Sequence, residues 1–137
     1  MATLPKVSTL GERLDLELHQ GASLLPVRHT LLQPDGITPD GTAPVNLTGY
    51  QVRGQLRRTA LDAVVVASFF CELAADPTEG WYQFSLTDEQ TAAITCGPKL
   101  ADPASLYEWD IELEDPAGNV RCTFYGLVRV KAGATRP

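Results

Sequence analysis

Apolar and polar residues alternate along most of the chain with a period of two, which is the pattern of half-buried β-strands. Leu14, Leu16 and Leu18 interleave with Arg13, Asp15, Glu17 and His19 and predict a first strand. Gln20 to Ser23 reads as a turn, and a second strand follows from about Leu24 to Gln33. Pro26 near its start has no N–H to donate, which suits an edge. A loop then runs to about Asn46, with Asp35-Gly36 and Asp40-Gly41 as tight-turn pairs. After Leu47-Thr48-Gly49, a third strand sets Tyr50, Val52, Gly54 and Leu56 on one face and Gln51, Arg53, Gln55 and Arg57 on the other. A fourth, from about Ala63 to Leu73, is apolar on both faces. A short fifth strand turns Tyr82, Phe84 and Leu86 inward, with Gln83 and Ser85 outward. Thr87 and Gln90 are spaced as a capping box, which predicts one or two helical turns through about Ile94. Strands six, Leu106 to Glu114, and seven, Asn119 to Lys131, are joined by a hairpin at Asp115–Asn119.

Charge adds an expected strand order. Strand six turns Tyr107, Trp109, Ile111 and Leu113 to one face, and Glu108, Asp110, Glu112 and Glu114 to the other. Same-face residues lie about 7 Å apart, so these carboxylates repel one another unless neighbouring strands bring cations. Arg53 and Arg57 on strand three and Arg121, Arg129 and Lys131 on strand seven carry the opposite sign. Strand six is therefore expected between three and seven, with strands one, two, four and five in a facing layer. The expected fold is all-β: an Ig-like Greek-key β-sandwich of about seven strands with one short helix. Residues 1–12 read as an N-terminal arm, Met1 to Gly11 being without strand pattern, and 13–137 as one domain.

The totals narrow the function. One domain suits 137 residues, and 44% hydrophobic with 20% charged residues is ordinary globular usage. A net charge of −6 disfavours a nucleic-acid partner, since phosphate binding needs clustered Lys and Arg. No apolar run has the length of a signal peptide or a membrane span. Cys71, Cys96 and Cys122 are odd in number and far apart, and are expected as reduced thiols of a protein made in a cytoplasm.

Candidate chemistry is sparse. His19 and His29 would face each other if strands one and two form a hairpin, but zinc needs three or four ligands and no third is evident. Cys71 and Cys122 read as small core residues. The carboxylate row fans out along one face rather than converging across a cleft, and lacks the wrapping loop that calcium requires. There is no nucleophile elbow and no phosphate loop. No catalytic, cofactor-binding or metal residue is assigned. Trp81 is the best candidate for a sugar platform, and Tyr125 with Leu127 for a contact surface.

Three segments carry a resemblance: Asn46 to Arg53 (NLTGYQVR), Gly80 to Thr87 (GWYQFSLT) and Tyr107 to Glu112 (YEWDIE) ahead of the Asp115–Asn119 turn. Together they resemble small phage and prophage tail proteins, including the N-terminal Ig-like domain of siphophage upper baseplate proteins. The likeness runs from about Leu14 to Arg136, and no segment matches the long trimerising helix of upper baseplate proteins. It implies a non-enzymatic structural or adaptor protein of a virion, docked on other phage structural proteins at the tail, baseplate or fibre attachment. It is also compatible with a trimer or ring, and implies no cofactor, nucleic acid or membrane. A capsid-surface decoration protein and a carbohydrate-binding module are the alternatives. The N-terminal arm and the Pro34 to Asn46 loop are the expected assembly contacts.

Overall fold

The computed structural model describes residues 11–34 and 42–134. Residues 1–10 of the expected arm (1–12) and both Asp-Gly pairs lie outside the described residues, whereas Glu12, at the end of that arm, is paired with Phe124. Among the described residues eleven strands form three sheets: β1 (Glu12–Arg13), β2 (Leu16–His19), β3 (Leu24–Thr30), β4 (Leu32–Pro34), β5 (Thr42–Pro44), β6 (Gln51–Arg57), β7 (Ala67–Ser68), β8 (Phe70–Leu73), β9 (Trp81–Leu86), β10 (Leu106–Glu114) and β11 (Val120–Lys131). The larger sheet runs β1-β11-β10-β6-β7, with β2 also on β11, and the smaller runs β3-β9-β8. β4, from the end of the expected second strand, and β5, from the expected loop, pair as a separate two-stranded sheet. Two packed sheets with this strand order make an all-β, Ig-like Greek-key sandwich.

β10 lies between β6 and β11, antiparallel to both, and buries Tyr107, Trp109, Ile111 and Leu113. Nine strictly alternating residues leave a strand only one way to present an apolar face. The helix also forms, as α1 (Asp88–Ala92): Thr87 Oγ1 accepts from the Gln90 amide, and the Gln90 side chain accepts from the Thr87 amide. Pro26 lies in edge strand β3, at an irregularity between Leu24 and Val27.

Three expectations are corrected. The first strand does not join the facing layer; β1 and β2 pair in parallel with β11, in the larger sheet. Alternation shows which side chains are buried but not which sheet receives the strand, and Gln20–Ser23 crosses between sheets rather than closing a hairpin. The fourth strand is broken. Residues 58–66 are irregular, β7 adds to β6, and at Phe69 the chain crosses so that β8 pairs with β9. Phe69 packs between the sheets, 5.4 Å from the Trp109 ring and 5.7 Å from that of Phe84. The second strand ends at Thr30, and Leu32–Pro34 turns away to pair with Thr42–Pro44.

Phe69, Phe84, Trp109 and Phe124 form the centre of the core, ringed by Leu18, Leu56, Ile111, Val128 and Val130. Gly126 lies opposite Trp109, and a Cβ there would stand 2.3 Å from the Leu14 carbonyl oxygen. Its missing side chain lets that carbonyl reach the indole, and Trp109 Nε1 donates to it at 2.8 Å.

Candidate functional site

The outer face of the larger sheet holds a groove of about 510 Å³, floored by β6, β10 and β11. Its floor is the polar face of β10: Glu108, Asp110 and Glu112. The β6 register places Arg57 opposite Glu108, Gln55 opposite Asp110 and Arg53 opposite Glu112. Arg53 Nε donates to Glu112 at 3.1 Å, and its Nη1 lies 3.8 Å from Glu114. This is the compensation expected from charge, on the β6 side only.

On the β11 side that expectation fails. The outward partners there are Leu127 opposite Glu108, Tyr125 opposite Asp110 and Cys122 opposite Glu112. For Arg121 a bulge is the cause. Ile111 pairs with Phe124 and Glu112 with Cys122, so Thr123 is an extra residue and both Thr123 and Phe124 are buried. Beyond a one-residue bulge every side chain changes face. Arg121 thereby comes into register with inward-facing Leu113, away from the carboxylates. Arg129 is opposite Leu106 at the far end and donates to the Leu100 carbonyl.

The walls hold their charged groups in place. The loop after β6 folds over one end, where the Ala60 amide donates to Glu108 Oε2 and Arg57 donates to the Asp62 carbonyl and Gln55 Oε1. At the other side Asp15 sits in the gap between β1 and β2. Its Oδ1 accepts from the Leu127 amide at 2.9 Å and from Arg13 Nε at 3.2 Å, which fixes Arg13 over the groove. These bonds hold the Asp15 carboxyl below the usual range. Asp110 is shifted the other way: burial and then Glu112 raise it, against the opposing pull of Arg57 and Arg53. Among the described residues the Asp110 carboxylate has no hydrogen bond or ion pair.

The remaining candidates are dispersed. His19 and His29 lie in different sheets and form no pair. His29 Nδ1 is 3.0 Å from the Tyr82 hydroxyl, which donates to Thr123 Oγ1 at 2.7 Å; Thr123 in turn donates to the Ile111 carbonyl. With both hydroxyl protons so used, His29 completes the chain as the donor. Burial lowers the His29 pKa and pushes the Tyr82 phenol up to about 12. All three cysteines are free thiols. Cys71 packs against the core, where burial pushes its thiol up to about 11, whereas the bulge turns Cys122 to the outer face. Trp81 is not an open platform: the Arg28 guanidinium lies 3.5 Å from its ring centroid and Glu79 accepts from its Nε1. Among the described residues, no three His, Cys, Asp or Glu side chains converge to hold a metal ion. No described helix is long and apolar enough to cross a membrane.

Alternation pointed to Tyr125 and Leu127, and the charge row to Asp110, but not to their meeting in one groove. That depends on the bulge, and neither Thr123 nor its neighbours carry a glycine or proline that would signal one. No protein-family model matches the chain, and a search of curated proteins finds no similar sequence.

Proposed function

We propose that the chain is a non-enzymatic structural or adaptor protein of a bacteriophage particle, docking onto other particle proteins at the tail, baseplate or fibre attachment. The observation that carries the docking role is the groove on the larger sheet: a preformed concavity, with immobilised charges and two apolar side chains, on a rigid support. Every buried side-chain polar atom described has a partner, so the support holds its shape without help from a ligand. Pre-organisation of this kind favours binding because little ordering remains to be done on association.

The phage assignment rests on the three motif segments, and their positions are consistent with a shared framework. Leu47 is fully buried, the Asn46 side chain accepts from the Thr48 amide, and Gly49 takes a φ of +77°, so NLTGY forms one tight turn into β6. That turn lies against Pro116 of the Asp115–Asn119 hairpin. The other two segments are β9 and β10, the central strands of their sheets.

The test is location. Particles from the source phage or prophage, purified on a density gradient, are probed with an antibody raised against the protein. Co-sedimentation at particle density after a high-salt wash is the expected result. Recovery only in the soluble fraction would refute a virion role.

A further inference from the structure

Asp110 and Tyr125 are direct cross-strand neighbours in the groove, and among the described residues neither side chain has a hydrogen-bond or ion-pair partner. The other charges there are committed: Arg53 to Glu112 and Glu114, Arg13 to Asp15, Arg57 to the Asp62 carbonyl and Gln55, and Glu108 to the Ala60 amide. Counting Asp15 and Glu114 with Glu108, Asp110 and Glu112, five carboxylates face four guanidiniums, those of Arg13, Arg53 and Arg57 and that of Arg129, which acts on Asp15. The groove therefore has room for one more cation, and Asp110 is where it is missing.

The ring tells which cation. This chain covers two of its other rings with arginine: Arg28 over Trp81 at 3.5 Å and Arg58 over Tyr107 at 4.3 Å. The Tyr125 ring has neither a cation nor a stacked ring among the described residues. A guanidinium is flat enough to lie on an aromatic face while its N–H fork meets a carboxylate, which an ammonium cannot do. Leu127, beside Tyr125 on the same face, offers an apolar track for the methylene stem.

We propose that the groove receives an arginine side chain from a partner protein, its guanidinium forked onto Asp110 and laid over Tyr125. This rests on the docking reading and names the partner's chemistry. Free of a ligand, ionised Asp110 carries a cost to the fold, since burial and then Glu112 raise its pKa above the ordinary carboxylate value. Binding arginine removes that cost.

The full chain, labelled with ¹⁵N, is titrated with the capped tripeptide Gly-Arg-Gly, and with its lysine and citrulline counterparts. Amide shifts centred on Gln55, Asp110, Tyr125 and Leu127 are expected for arginine. Citrulline, which has the shape without the charge, should bind about tenfold more weakly, as should arginine to Asp110→Asn. Tyr125→Leu should erase any preference for arginine over lysine. Asp110→Asn should melt at or above the parent temperature, so its loss of binding is not a loss of fold. Equal binding of citrulline, undiminished binding by Asp110→Asn, or the same amides responding to calcium instead would overturn the proposal. Its failure alongside a protein found in particles would leave the docking reading standing. An arginine site in a protein absent from particles would do the reverse.

Discussion

Replacing Tyr82 by phenylalanine removes one oxygen from the middle of the sandwich and keeps the ring, which is fully buried. That oxygen links the two sheets: it accepts from His29 on β3 and donates to Thr123 on β11. The two ends of the broken chain fare differently. His29 is only partly buried and regains water, while Thr123 loses a donor but still donates to the Ile111 carbonyl at 3.3 Å. Nothing is left as a buried unpaired charge, so the cost is near that of one internal hydrogen bond, about 1–2 kcal/mol. For a domain of this size that lowers Tm by about 3–8 °C. Thr123→Val breaks the same link from the other side, so the double variant should cost about 1 kcal/mol less than the sum of the singles. Urea denaturation followed by tryptophan fluorescence reads this directly, because Trp109 is buried in the same cluster. Strictly additive losses, or a Tyr82→Phe variant as stable as the parent, would refute the claim that the chain of hydroxyls ties the sheets together.

The folded-state pKa of His29 is depressed, so the unfolded chain binds its proton more readily. Its contribution should be complete above about pH 6.5 and be lost as pH falls through that value toward the folded pKa, and His29→Asn should flatten the difference in urea midpoint between pH 7 and pH 5. Gly126→Ala forces a methyl group against the Leu14 carbonyl and should destabilise by about 3 kcal/mol, read as a fall in Tm, whereas Gly118→Ala, whose Cβ meets only open space, should cost much less despite its positive φ. Arg53→Ala removes an ion pair whose members are 45% and 35% exposed, and should cost under about 1 kcal/mol in the same assay. Thiol titration of unfolded, unreduced protein should count all three cysteines named above, with Cys71 the slow one in the native state at pH 8.

Strand β10 was legible because nine alternating residues admit one burial pattern, and Arg53 and Arg57 on β6 lie in register with two of its carboxylates. The same reasoning failed for Arg121 on β11 because a charge argument assumes unbroken register, and the bulge at Thr123 reverses the faces beyond it; Arg129 lies at the far end, opposite Leu106. The sheet taken by β1 and β2 was illegible for another reason. Leu16 and Leu18 turn into the same core whichever sheet holds them, so the choice depends on backbone pairing with β11, on which side-chain periodicity is silent. Residues 63–66 mislead by composition: Val64 is 72% exposed, although such an apolar run ordinarily reads as a buried strand. The groove combines two of these hidden features, the bulge and the Asp15 gap, which is why its residues were visible singly and not as a site.

The parallel pairing of β1 and β2 with β11 also sets the order of events during synthesis. Glu12 finds its partner in Phe124, and Leu16 finds Val128, so these early segments leave the ribosome with nothing to pair with until more than a hundred further residues have followed. β6 and β10 are likewise separated by some fifty positions. A topology dominated by such distant partners folds slowly and leaves strand edges open while it waits. The larger sheet, and the groove it supports, can therefore form only after β11 has been made, which places completion of that face among the last steps of folding.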